Sequence, residues 1–290
     1  MNGGLNLKSF EFFEPTTLAE ASRLFAQEHA QLLAGGTDII IGMKALTETP
    51  QSVISLQKIP GLAGITTEAD NSISIGAMAK VREVELSEDI QQHHTALAEG
   101  ASEIGSIQIR NLATIGGNIA HASPAADTVA GLLVADAQVD IASADGERTV
   151  PINELFTGPG QTVLTPGEII TRFRLPSPAS GSYYIKHKIR EVMDLAFIGV
   201  AAAINVDNGT ITDARIGLAA VAPTPIRATE AEDLLKGKAL TPELLEQAGE
   251  AAAAASSPIS DLRCSAEHRR EMVDVLTRRT LRQASERASG

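Results

Sequence analysis

Two short segments, each carrying adjacent glycines, constrain the fold of this chain more than any other feature. The first reads Leu-Leu-Ala-Gly-Gly-Thr-Asp-Ile at residues 32–39, and the second reads Thr-Ile-Gly-Gly-Asn at residues 114–118. Glycine adopts positive φ and, lacking a Cβ, lets a ligand approach the backbone. Successive N–H groups in such a turn, followed by a helix, can converge on an anion. The pair therefore predicts two contacts along one elongated phosphate-bearing ligand, although the first segment alone also fits a plain strand–turn–helix connection.

The side chains around these glycines suggest how such a ligand would be held. In the second segment we expect the donors to be the backbone and polar side chains of Thr114, Gly116, Gly117 and Asn118. Asp127 ends this segment, and its carboxylate suits either ribose and ribityl hydroxyls or the N-cap of the next helix. Asp38 would repel a phosphate, so we expect it to point away and cap the helical turn after it. Neither segment has the Gly-x-Gly-x-x-Gly or Gly-Lys-Ser/Thr pattern, which disfavours Rossmann and kinase-type sites.

Charge and cysteine content exclude several classes of protein. The formal net charge is −12 and aromatic residues make up 3% of the chain, so nucleic acid and anionic membrane surfaces are poor partners. There is no apolar run long enough to span a membrane, and residues 1–10 lack the apolar core of a signal peptide, so we expect a cytoplasmic location. Cys264 is the single cysteine, and an iron–sulfur cluster needs about four thiolates. The histidines show no metal-ligand spacing, so no metal site is predicted.

The order of predicted elements favours an α+β fold. Strand and helix patterns alternate at the start of the chain, and a hairpin is predicted around Asp145-Gly146. Residues 107–127 are mostly small, and we interpret them as a long functional loop. A domain boundary is predicted at residues 176–177, giving domains 1–176 (with subdomains of about 1–57 and 58–176) and 177–290. The second domain is predicted as three antiparallel strands at 182–188, 198–206 and 211–221, then helices at 228–235, 242–255 and 266–284.

A family resemblance becomes specific where the two segments are taken with their surroundings. The second segment extends as Ile-Arg-Asn-Leu-Ala-Thr-Ile-Gly-Gly-Asn-Ile-Ala-His-Ala-Ser-Pro-Ala-Ala-Asp at 109–127, and the chain opens with Phe-Glu-Phe-Phe-Glu-Pro-Thr-Thr-Leu-Ala-Glu-Ala at 10–21. With residues 184–190 and 194–196, these stretches resemble the FAD-binding medium subunit of the xanthine dehydrogenase and carbon monoxide dehydrogenase family of molybdenum hydroxylases. The resemblance covers essentially the whole chain.

The resemblance implies a fold, a cofactor and a set of binding residues. The fold would be the two-part FAD-binding fold of the vanillyl-alcohol oxidase (PCMH) type, followed by a small antiparallel sheet with helices. FAD would be bound non-covalently, and residues 190–194 would form a mobile loop beside its ring. The implied cofactor-binding residues are Leu32, Leu33, Ala34, Gly35, Gly36, Thr37, Asp38 and Ile39 in the first segment, Thr114, Ile115, Gly116, Gly117 and Asn118 in the second, and Asp127, Ile170 and Lys186 beyond them.

The resemblance also implies partners and a role. A large subunit would carry the molybdopterin cofactor and hydroxylate the substrate, and a small subunit would carry [2Fe-2S] clusters, in a dimer of heterotrimers. This chain would be an oxidoreductase subunit that passes electrons from those clusters through FAD to an external acceptor, without acid–base catalytic residues of its own. Two alternatives stay open: a self-contained flavin oxidase or reductase of the vanillyl-alcohol oxidase type, and a nucleotide-binding assembly module without redox function.

Overall fold

The computed structural model describes residues 7–176 and 178–289. Ser177, at the predicted domain boundary, lies outside the described residues, as do the first six residues of the stretch considered as a signal peptide. Helices and strands are mixed throughout the described part of the chain, and the strands form one parallel sheet and several antiparallel sheets. The predicted α+β class is therefore confirmed.

A small parallel sheet stands at the amino-terminal end. Its strands are β1 (Glu11–Phe13), β2 (Ala30–Leu33) and β3 (Ser52–Ser55), in the order β1-β3-β2. The connections are α1 (Leu18–Phe25) and α2 (Ile39–Ala45). Helix α1 begins after Thr17, whose Oγ1 accepts a hydrogen bond from Glu20 N at 3.3 Å. The first glycine segment is the turn between β2 and α2, at the carboxyl end of a parallel strand.

A five-stranded antiparallel sheet follows. Its strands are β4 (Ile65–Thr67), β5 (Ile73–Gly76), β6 (Gln138–Ala142), β7 (Glu147–Pro151) and β10 (Ile169–Leu175), and a separate pair is β8 (Phe156–Gly158) with β9 (Gln161–Thr162). The order is β4-β5-β10-β6-β7, so the last strand in sequence lies in the middle. The predicted hairpin around Asp145-Gly146 is confirmed as the β6–β7 connection. The middle strand brings two distant stretches of sequence into one sheet.

Helices fill the long stretch between β5 and β6. They are α3 (Val81–Leu86), α4 (Glu88–His93), α5 (Thr95–Ser102), α6 (Ile107–Arg110), α7 (Ile115–Ala120) and α8 (Asp127–Val134). The prediction of a loop at 107–127 is wrong, because Ser106 and Thr114 cap two short helices there. Small residues serve close packing in this region. A Cβ on Gly131 would lie 2.6 Å from Leu97 Cα, so α5 and α8 meet almost backbone to backbone.

The C-terminal sheet is covered on both faces. Its strands are β11 (Gly181–His187), β12 (Ile198–Asp207), β13 (Thr210–Ala219) and β14 (Ile226–Arg227), paired antiparallel in sequence order. The first three were predicted, and the short β14 was not. Along β12, Val200 and Ala202 enter one core, whereas Ala201 and Ala203 enter another. Helices α5 and α8 cover one face, and the other is covered by α9 (Thr229–Leu235), α10 (Pro242–Ala255) and α11 (Ala266–Ser289). Helix α11 runs five residues past its predicted end.

Candidate functional site

The first glycine segment presents a row of free backbone donors. The strand β2 ends at Leu33, and Gly36 turns the chain with a φ of 76°, a conformation that favours glycine. Among the described residues, no protein acceptor receives a hydrogen bond from the N–H groups of residues 35–39. Buried or half-buried N–H groups normally find a partner. These five consecutive donors therefore form a nest suited to an anionic oxygen cluster such as a diphosphate.

The side chain of Asp38 does not behave as predicted. The residue stands at the N-cap position of α2, but its carboxylate makes no capping hydrogen bond, and its φ and ψ are those of a right-handed helix. A capping side chain needs the residue in an extended conformation so that its oxygen reaches back to the next turn. The predicted cap is therefore wrong, although the predicted exposure of Asp38 away from the turn is consistent with its position at the surface.

In the second glycine segment, the predicted backbone donors are already used inside the protein. Thr114 Oγ1 caps α7 by accepting from Gly117 N at 3.1 Å, and Asn118 N donates to Thr114 O at 3.0 Å. Gly116 N donates to Ala77 O at 2.8 Å, and a Cβ on Gly116 would meet the same residue at 2.7 Å. The prediction that these three N–H groups are free donors is therefore wrong. The start of α7 takes up the N–H groups of Gly117 and Asn118, and Ala77 O takes up that of Gly116.

The two glycine segments nevertheless lie against each other. A Cβ on Gly35 would fall well within van der Waals distance of Leu112 O and 2.9 Å from Ala113 Cα. A Cβ on Gly117 would lie 3.9 Å from the Ala34 side chain. The absence of a side chain at Gly35 is thus what lets the segments touch. Segments that are 77 to 83 positions apart in sequence at these contacts form one continuous surface.

Asp127 and Lys186 form a buried pair between the N-terminal part and the C-terminal sheet. Lys186 Nζ lies 2.8 Å from Asp127 Oδ2 and donates to Glu103 O at 3.0 Å, and Tyr184 Oη donates to Asp127 Oδ1 at 2.9 Å. The Lys186 side chain is 1% exposed and that of Asp127 is 8% exposed. The alternative prediction, that Asp127 is the N-cap of α8, is wrong, because α8 begins at Asp127 itself and Ala126 is its N-cap residue.

Burial dominates the electrostatics of this pair. It raises the pKa of Asp127 to about 6, although the Lys186 ammonium and the Tyr184 hydroxyl both favour the carboxylate. Burial, and then the charge of Asp127, raises the pKa of Tyr184 well above its usual value. Tyr184 and Glu103 were not among the predicted site residues. The alternation of side chains along β11 is a signal that could have found Tyr184, because it puts residues 184 and 186 on one face.

The remaining predicted site residues divide into surface and core. Leu32, Leu33, Ala34 and Ile39 are half-buried beside the first turn, whereas Ile115 is fully buried in α7. Ile170 is 5% exposed and packs in the core of the five-stranded sheet. Asn118 Oδ1 accepts from Thr128 Oγ1 at 2.6 Å, which ties α7 to α8.

The connection between β11 and β12 exposes apolar side chains on a pinned loop. Ile189, Val192, Met193 and Leu195 are each about half exposed or more. The Asp194 carboxylate accepts from Ile189 N at 2.7 Å and from Arg190 N at 2.8 Å, and these bonds lower its pKa to about 2. Such a loop offers an apolar face whose shape is set by one carboxylate.

Other classes of site find no support. In residues 7–176 and 178–289, no helix is long and apolar enough to cross a membrane. The same described residues contain no cluster of three or more histidine, cysteine, aspartate or glutamate side chains arranged to hold a metal ion. Cys264 is half-buried and unpaired by a disulfide.

Two family models together match most of the chain. One, described as the FAD binding domain in molybdopterin dehydrogenase, matches residues 8–178. The other, described as the CO dehydrogenase flavoprotein C-terminal domain, matches residues 182–284. The first covers both glycine segments, and the second begins within β11.

Individual members of the same family are similar to this chain over nearly its full length and theirs. The xanthine dehydrogenase FAD-binding subunit of Escherichia coli O157:H7 is 35% identical, over 96% of this chain and 97% of its own. The carbon monoxide dehydrogenase medium chain of Hydrogenophaga pseudoflava is 34% identical, over 95% and 96%. Among solved structures, reconstituted CO dehydrogenase from Oligotropha carboxidovorans matches with a TM-score of 0.92 and 34% identity, over 97% of this chain and 99% of its own. The chain therefore belongs to the FAD-binding subunits of the xanthine dehydrogenase and carbon monoxide dehydrogenase family, the molybdenum hydroxylases.

Proposed function

We propose that this chain holds FAD non-covalently along the two touching glycine segments. The five free N–H groups of residues 35–39 bind the diphosphate, and the half-buried residues 32–34 and Thr37 line the approach. The second segment, residues 114–118, contributes close packing at its glycines and the amide nitrogen of Asn118, instead of backbone donors. The observation that carries this proposal is the contact of Gly35 with the 112–113 backbone, which joins the free donors and the second segment in one surface.

Beyond the diphosphate, the proposal uses Asp127 and the buried residues Lys186 and Ile170. Asp127 accepts from a ribose or ribityl hydroxyl, for which a carboxylate oxygen with one protein partner still has a lone pair. Lys186 supports that carboxylate and completes the site with Ile170. The apolar loop at 189–195 suits the face of the flavin ring. FAD supplies the capacity to take up and release electrons, and this chain binds, orients and shields it.

The partners and the direction of electron flow are part of the same proposal. Relatives named medium chain and medium subunit belong to complexes with further chains. We propose a large subunit with molybdopterin and a small subunit with [2Fe-2S] clusters, arranged as a cytoplasmic dimer of heterotrimers. Electrons pass from the clusters to FAD here and then to an external acceptor. A chain with one cysteine must take its iron–sulfur clusters from a partner.

The division into domains also stays a proposal. We propose an FAD-binding domain at residues 1–176, made of subdomains at about 1–57 and 58–176, and a C-terminal domain at 177–290. The sheets support this division, since the parallel sheet, the five-stranded sheet and the C-terminal sheet follow one another along the chain.

Co-expression with the neighbouring reading frames tests the function. We expect a yellow complex of three chains, with FAD released intact by acid precipitation because no covalent bond holds it. Stopped-flow reduction by the substrate of the complex should bleach the iron–sulfur bands before or together with the flavin bands. A colourless protein that takes up no FAD would contradict the cofactor assignment. A yellow single chain that oxidises a substrate unaided would favour the self-contained oxidase.

A further inference from the structure

We propose that Lys80 is a further cofactor-binding residue, whose ammonium group stabilises the diphosphate at the junction of the two glycine segments. Neither glycine segment contains Lys80, which directly precedes α3. The inference rests on the proposed function, because it names an additional residue of the same site.

The backbone places Lys80 beside the junction. Lys80 forms an isolated antiparallel bridge with Thr114, and Val81 N donates to Ala113 O at 2.9 Å. The lysine side chain then turns toward the first segment, and its Nζ donates to Leu112 O at 3.2 Å. This carbonyl is the group that a Cβ on Gly35 would strike.

These contacts limit how far the ammonium can be from the free donors. Lys80 Nζ lies 3.2 Å from Leu112 O, and that oxygen lies close to the position of a Cβ on Gly35. Because a Cα–Cβ bond is about 1.5 Å long, the distance from Nζ to Gly35 Cα is at most about 7 Å. The free N–H groups begin at Gly35. A diphosphate held by them would lie within the Debye length of the Lys80 charge, which is about 10 Å at 0.1 M salt.

The Lys80 charge is also uncompensated. Among the described residues no carboxylate forms an ion pair with its ammonium, because the neighbouring Glu83 accepts from the Lys80 backbone N instead, at 2.7 Å. By contrast, lysines such as Lys58 and Lys186 are paired with carboxylates. Partial charges on N–H groups offset only part of a diphosphate dianion, and the chain as a whole carries −12. The Lys80 ammonium, which has no carboxylate partner, supplies a full positive charge to balance the diphosphate at this junction.

The test is an FAD titration of the full-length protein after removal of flavin, repeated at rising sodium chloride concentration. We expect Lys80→Met to raise the FAD dissociation constant roughly fivefold at low salt, with the difference shrinking as salt screens the charge. Lys80→Arg should keep wild-type affinity, since it keeps the charge. Riboflavin lacks the diphosphate, so its dissociation constant should be the same in the wild type and in Lys80→Met.

Lys236→Met is the matched control, because it removes one positive charge from an exposed lysine in the C-terminal part. The inference is overturned if Lys80→Met and Lys236→Met show the same FAD affinity and salt dependence, or if Lys80→Arg binds as weakly as Lys80→Met. Lys80→Gln replaces Lys80→Met if the latter fails to fold. Failure of the wild type to bind FAD would instead reject the proposed function, so the two failures are distinguishable.

Discussion

Removing Lys186 should destabilise the protein by an amount that depends strongly on pH. Lys186→Met keeps the length of the side chain but leaves the Asp127 carboxylate buried without its cation. Breaking a buried ion pair by removing one partner typically costs about 3–5 kcal/mol of unfolding free energy. With the Lys186 side chain 1% exposed and that of Asp127 8% exposed, solvent cannot take the place of the lost ammonium. We therefore expect a loss in this range at pH 8.

The sign of the pH dependence follows from the raised pKa. In the wild type, burial raises the Asp127 pKa from 3.8 to about 6. The folded state therefore holds its proton more tightly than the unfolded chain, and this group lowers stability as pH rises from about 4 to about 6. At pH 5 the carboxyl is mostly protonated with or without Lys186. Lys186→Met then loses the Glu103 hydrogen bond and little charge attraction, so we expect about 1–2 kcal/mol.

Urea denaturation followed by circular dichroism at pH 5 and pH 8 measures both values. Lys58→Met serves as the control, because its ion pair with Glu14 is exposed and should contribute less than about 1 kcal/mol at either pH. The double variant Lys186→Met with Asp127→Asn should recover part of the loss at pH 8, since no buried charge remains. An equal loss at both pH values would refute the electrostatic reasoning and leave packing as the cause.

Three further outcomes are expected. Gly35→Ala should weaken FAD binding at least about tenfold in a fluorescence titration, because its Cβ would push the glycine segments apart, whereas Gly158→Ala, which meets only a glutamine side chain, should bind normally. Arg110→Met should lower the unfolding free energy by about 1–3 kcal/mol in urea, since it removes the ion pair with the half-buried Glu85 and the hydrogen bond to Ile104 O, while Arg82 still pairs with Glu85. Asp194→Asn should accelerate trypsin cleavage after residue 190 at pH 8, as peptide mapping would show, because it weakens the hydrogen bonds that the Asp194 carboxylate accepts from the loop backbone; unchanged cleavage would contradict the pinning role.

Patterns with a short period made much of the fold predictable. The alternation in β11 to β13 and the turn at Asp145-Gly146 are local signals, and the structure agrees with them. Residues 107–127 were misinterpreted because small residues serve two purposes. They form loops, and they also let a helix approach a neighbouring backbone closely, as Gly116 of α7 does against Ala77. A single sequence does not distinguish the two, since the neighbour that fills the space is more than thirty positions away.

The candidate site shows the same limit. Glycine spacing correctly indicated that the two segments meet, but it could not show that Thr114 and Ala77 take up the N–H groups of the second segment. The pairing of Asp127 with Lys186 spans 59 residues and depends on how the C-terminal sheet docks. Long-range docking of this kind leaves no periodic trace in the sequence.

The strand β12 has a consequence for how such chains can be recombined. Alternate side chains of this strand belong to two different cores, so Ala201 and Ala203 form part of the interior of the N-terminal part. A chimaera that joined residues 7–176 of this protein to the C-terminal region of a relative would need alanine-sized side chains on that face to admit α8. We expect most such exchanges to fail, even between relatives whose cofactor segments are identical, because a side chain larger than alanine on that face would clash with α8.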